Sequence, residues 1–187
     1  MRTLLLLATL SMSATLPSFA ADSTKPTKAE ADAFRLSMDK VNRTIQAYTG
    51  IFEALAQDPA LVAKWKAERA NLEDTNGRDT MSIVAARLAS KQPKVNAAFT
   101  NAGITPKEAG MTMETVIGGM LGIAMLEGTG AKAELPKGFV KENVDFVKAH
   151  KNEIVATLSR MQELAKKYPQ LAKLNAEESE SEPENEK

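Results

Sequence analysis

Seven apolar or aromatic residues near the start of this chain recur at alternating intervals of four and three: Phe34, Met38, Val41, Ile45, Tyr48, Phe52 and Leu55. A 3.5-residue repeat held this long places all seven on one side of a helix. That side must be covered by another helix. Asp32, Arg35, Asp39, Arg43 and Gln46 fall on the opposite side. A second seam of the same kind runs through Val144, Val147, Ile154, Leu158, Met161, Ala165 and Tyr168, with His150 beside it. No run shows the period-two alternation of a strand. The expectation is an all-α chain, a compact bundle of five to six helices.

The punctuation between the seams supports this. Thr27-Lys28-Ala29-Glu30 is a capping box that opens the first long helix, expected to run unbroken through Leu55. Asp58-Pro59 pairs an N-cap residue with a proline suited to the first helical position. Leu61, Val62, Trp65 and Leu72 form the apolar face of the helix it starts. Asp74-Thr75-Asn76-Gly77 reads as a turn, and Asp79 or Thr80 as the cap of a short helix with Met81, Val84, Ala85 and Leu88 inward. Gln92-Pro93 opens another, through Val95, Phe99 and Ala102, with Gly103 as its left-handed terminator. Thr105-Pro106-Lys107-Glu108 is a second capping box, and Asn143 is the expected cap of the last long helix.

Every residue from Val116 to Leu126 is apolar or glycine. A helix apolar all round is expected to be buried all round. This segment therefore reads as the central helix, running from the second capping box to about Glu127. Gly118, Gly119 and Gly122 each cost roughly 1 kcal/mol of helix propensity relative to alanine. Gly118 and Gly122 share a face, so close approach of a neighbouring helix is expected there.

The ends carry a different message. Arg2, the apolar run Leu4 to Leu10, and small residues at Ser18 and Ala20 form the pattern of a cleaved secretory signal over residues 1–20. The apolar run is too short to span a bilayer. Export from a bacterial-type cytoplasm follows, to the periplasm or the medium. Residues 21–26 are a polar lead, 27–174 the helical-bundle domain, and 175–187 an acidic tail expected to be disordered. The mature chain of about 167 residues is one domain's worth. No later run of about 18 uninterrupted apolar residues suggests a membrane span in it.

Composition narrows the function classes. There is no cysteine, which removes disulfides, thiol nucleophiles, thiolate metal sites and covalent c-type haem. The whole chain is neutral, with 24 basic and 24 acidic residues. Setting aside Arg2 and Lys187 leaves 22 basic residues in 21–174, and setting aside six glutamates of the tail leaves 18 acidic ones. That excess is too small and too scattered for a nucleic-acid surface.

Chemistry-bearing groups are few. His150 is the sole histidine, and no Gly-x-Ser-x-Gly elbow accompanies it. No Glu-x-x-His pair supports a di-metal site. No catalytic residue is assigned, and the enzyme reading is left open with a lean against it. The leading expectation is an exported, non-catalytic bundle that binds a protein partner or a small apolar ligand. Trp65, Phe99, Gly118, Met120, Gly122 and Met125 are the candidate ligand-binding residues, because small residues on an apolar helix can leave room between helices. The alternative is a b-type haem- or metal-binding redox protein, with His150 and Met38 as axial ligands and Met111, Met113, Met120 or Met125 as other sulfur donors.

Three pieces carry a family likeness: Asp58-Pro59-Ala60-Leu61, then Gly103-Ile104-Thr105-Pro106-Lys107-Glu108, then Leu135-Pro136 leading to Asn143-Val144-Asp145-Phe146-Val147-Lys148-Ala149-His150. Over roughly residues 34–165 the chain resembles a loose family of secreted or periplasmic bacterial all-helical proteins with no established activity. The resemblance implies export and a helical fold and brings no site residues with it.

Overall fold

A computed structural model describes residues 26–72, 80–129, 135 and 138–168. The signal-like segment, the Asp74–Gly77 turn, Asp79 and the acidic tail lie outside these residues. Among the described residues there are eight helices and no strand. They are α1 (Lys28–Ala33), α2 (Met38–Gln57), α3 (Pro59–Ala70), α4 (Thr80–Ala89), α5 (Pro93–Ala102), α6 (Pro106–Thr129), α7 (Lys141–Ala149) and α8 (Lys151–Lys167).

Several local signals act as their chemistry requires. Thr27 and Glu30 cap each other's backbone N–H groups in a full capping box. The Asp58 carboxylate accepts the N–H groups of Ala60 and Leu61 at 3.1 Å each, and Lys94 Nζ pairs with it at 2.7 Å. Gly103 ends α5 at φ 67, a conformation that side chains with a Cβ adopt at a cost. The Thr105 hydroxyl accepts the Glu108 N–H at 3.1 Å.

The two long helices of the sequence reading are each broken. The first stops at Ala33 and restarts at Met38, with the Ser37 hydroxyl accepting the Lys40 N–H. Phe34 and Leu36 are buried in the extended stretch between. The last breaks at His150, which ends α7 by donating its N–H to the Phe146 carbonyl. It begins α8 by accepting the Ile154 N–H at 2.9 Å. Asn143 is therefore not the cap of the last helix. Val140 is the N-cap of α7, and Asn143 sits in the first turn of α7 with its side chain buried. A heptad pattern reports only which side of the chain faces inward. An extended break that keeps Phe34 and Leu36 inward leaves the pattern intact.

The apolar residues form two cores that share α2. In the first, Ile45, Tyr48, Ile51 and Leu55 of α2 meet Leu61 and Trp65 of α3, Val84 and Leu88 of α4, and Val95 and Phe99 of α5. Tyr48 and Phe99 meet edge to face at 6.2 Å, and the Tyr48 hydroxyl lies 2.7 Å from that of Ser82. In the second, Phe34, Leu36 and Val41 meet Val116 and Ile123 of α6, Val144 and Val147 of α7, and Ile154 of α8. Each fully buried side chain of this size contributes about 1.5–3 kcal/mol. The central element is thus α2, which packs on α3, α5, α6 and α8.

Helix α6 departs from expectation. Only part of it is covered, by α2, α4 and α7. Val116, Gly119 and Ile123 face inward, whereas Ile117, Leu121 and Met125 face out. By length and composition Pro106–Glu127 could cross a membrane, yet 44% of its most apolar window is buried within the protein. Its close approach is also displaced. A Cβ on Gly119 would come within 2.6 Å of Val147 Cγ2, whereas one on Gly118 would meet nothing nearer than Phe139 Cε1 at 4.0 Å. A Cβ on Gly122 would lie 3.2 Å from Phe139 Cδ1.

Candidate functional site

Two surface features could engage another molecule. The first is the outer face of α6. Ile117 is 51% exposed, Leu121 55% and Met125 43%. Their spacing of four stacks them one above another along two turns. Ala124 is exposed beside them. No charged residue lies between Glu114 and Glu127, so the ladder sits in an uncharged stretch of helix. Among the helix neighbours of the ladder at i±3 and i±4, only Glu114, three residues before Ile117, is charged.

The second feature is an open cleft of about 820 Å³ between α2 and α8. Asn42, Gln46 and Thr49 line one wall, and Glu153, Arg160 and Lys167 are on the other. Most of its lining side chains are polar or charged, with both signs present.

The residues singled out in the sequence are dispersed. Trp65 and Phe99 are buried in the first core. Met120 is half-buried against the second. Gly118 and Gly122 face Phe139, and Met125 is on the exposed ladder. Of the haem candidates, Met38 packs at the margin of the second core. His150 stacks on Phe146 with ring centroids 4.5 Å apart, and its Nδ1 lies 3.4 Å from Glu153 Oε2. Its imidazole is thus already engaged by an aromatic face and a carboxylate. Of the other sulfur donors, Met113 is buried in the first core and Met111 is half-buried against the second. Among the described residues no group of three or more His, Asp or Glu is gathered as a metal site.

Ile117 and Leu121 were not among the sequence candidates. An all-apolar run has no polar stripe to mark its outer side, so periodicity alone could not single them out.

Comparison with protein-family models, with curated proteins and with solved structures gives no match for this chain.

Proposed function

We propose that this chain is an exported helical-bundle protein that works by binding a protein partner through the outer face of α6. The observation that carries the reading is the exposed ladder of Ile117, Leu121 and Met125 in a charge-free stretch of helix. Exposing such side chains forgoes burial that would each contribute about 1.5–3 kcal/mol. Contiguous exposed apolar residues of this kind mark contact surfaces. Of the two ligand classes that the sequence suggests, a protein partner fits better. The ladder stands on the outside of a helix, whereas small apolar ligands are held in concave sites. The secretory pattern of residues 1–20 and the resemblance to exported helical proteins support a place of action outside the cytoplasm.

Native mass spectrometry of the full chain from its own host tests this, with wild type and Leu121→Glu side by side. A second protein mass that is present with wild type and lost with the variant is the expected result. A wild-type chain that carries no partner, or the same complex in both samples, would overturn the reading. Titration with haem b separates the alternative. The binding reading expects no Soret band, and a band abolished in His150→Ala would replace it with a haem protein.

A further inference from the structure

The chain contains nine methionines and no cysteine, so all of its sulfur is thioether. A hydroperoxide meeting this protein has no thiolate to attack, and methionine is its principal target. The fold does not present the described methionines equally. Met113 is buried at 7% exposure, and Met38, Met81, Met111, Met120 and Met161 are half-buried against the two cores. Met125, at 43%, is the one among them that is exposed. It stands at the end of the apolar ladder that begins at Ile117.

We propose that Met125 is a site of reversible oxidation that switches the outer face of α6 from apolar to polar. The oxidant class is a hydroperoxide. A lone pair on Met125 Sδ attacks the terminal peroxide oxygen, the O–O bond breaks and an S–O bond forms. The proton of the transferred oxygen passes to the departing alkoxide or hydroxide, which leaves as an alcohol or water. Sulfur loses two electrons and the peroxide gains two. A thiol-dependent sulfoxide reductase reverses the change, two thiols becoming a disulfide and the oxygen leaving as water. The product carries a strongly polar S–O group where the ladder had a thioether. Next to Leu121 that group holds water against the face and opposes its burial.

This rests on the reading of α6 as a contact face only for its biological consequence, and the test keeps the two apart. The full chain is treated with dilute hydrogen peroxide and followed by peptide mass mapping and by fluorescence of an apolar-surface dye. Met125 sulfoxide is expected to accumulate several-fold faster than sulfoxide at Met111, Met113 or Met120. Dye binding is expected to fall in step with it. In Met125→Leu both the early oxidation and the early loss of dye binding should vanish. Oxidation of Met113 or Met120 as fast as Met125 would overturn the site, and unchanged dye binding on Met125 oxidation would overturn the switch. Neither measurement needs a partner, so failure to find one leaves both outcomes readable.

Discussion

Asn143 Oδ1 accepts the backbone N–H of Leu36 at 2.9 Å, across 107 positions of sequence, inside the protein. The same carboxamide donates from Nδ2 to the Phe34 carbonyl at 2.9 Å. One side chain therefore satisfies two backbone groups that the break between α1 and α2 leaves without helical partners. A buried unpaired N–H or C=O is costly, so the break and Asn143 depend on each other. The clamp also fixes the start of α7 beside the start of α2.

Asn143→Ala should orphan the buried Leu36 N–H and leave the Phe34 carbonyl with only the Arg35 guanidinium, 3.0 Å away, lowering stability by roughly 1–3 kcal/mol. Urea unfolding followed by circular dichroism measures this. A loss under about 0.5 kcal/mol would show that the break is satisfied in another way.

The glycines of α6 should separate sharply. Gly119→Ala drives a methyl group against Val147 and should destabilise the protein by about 1–3 kcal/mol. Gly118→Ala meets only Phe139 at 4.0 Å and gains roughly 1 kcal/mol of helix propensity, so it should be neutral or stabilising. Thermal melts of the two variants decide it. Val147→Ala in the Gly119→Ala background should recover part of the loss.

The two sides of α6 should also differ. Leu121→Lys is on the exposed ladder and should shift stability by about 0.5 kcal/mol or less. Ile123→Lys places an unpaired charge in the second core and should prevent cooperative folding. Equal effects in equilibrium unfolding would mean that the ladder is covered.

Glu30 ties the capping box to α6. Its carboxylate accepts a hydrogen bond from Lys107 Nζ at 2.7 Å, and a second from the Thr27 N–H. The Lys107 hydrogen bond first, and the Thr27 bonds after it, lower its pKa from 4.5 to about 2. Because the folded value lies below the unfolded one, the stabilisation is present above about pH 4.5 and fades as pH falls towards about 2. In a carboxylate NMR titration, Lys107→Gln should move the Glu30 midpoint back up.

The contrast between Asp58 and Asn143 shows what was legible in the sequence. Asp58 caps a helix that begins at the next residue, and its partners Ala60 and Leu61 are two and three positions away. Chemistry of that range is written in local order. So are the Gly103 terminator, the Thr27–Glu30 box and the heptad positions that became buried in α2 and α8. Asn143 looked like the same kind of residue, yet its partners are more than a hundred positions away. Its role exists only once α7 lies against the α1–α2 break.

The sequence by itself determined that this chain is helical, which side of α2 faces inward, and that its only sulfur is thioether. These follow from spacing, capping and composition, all of which act within a few residues. Only the tertiary structure decided where the long helices break, that Gly119 rather than Gly118 admits Val147, and which side of α6 is left outside. From Val116 to Leu126 each side of the helix is equally fit for burial, so local preference is silent there. The number and position of neighbouring helices make the choice. With α2, α4 and α7 occupying one side, Ile117, Leu121 and Met125 remain facing water.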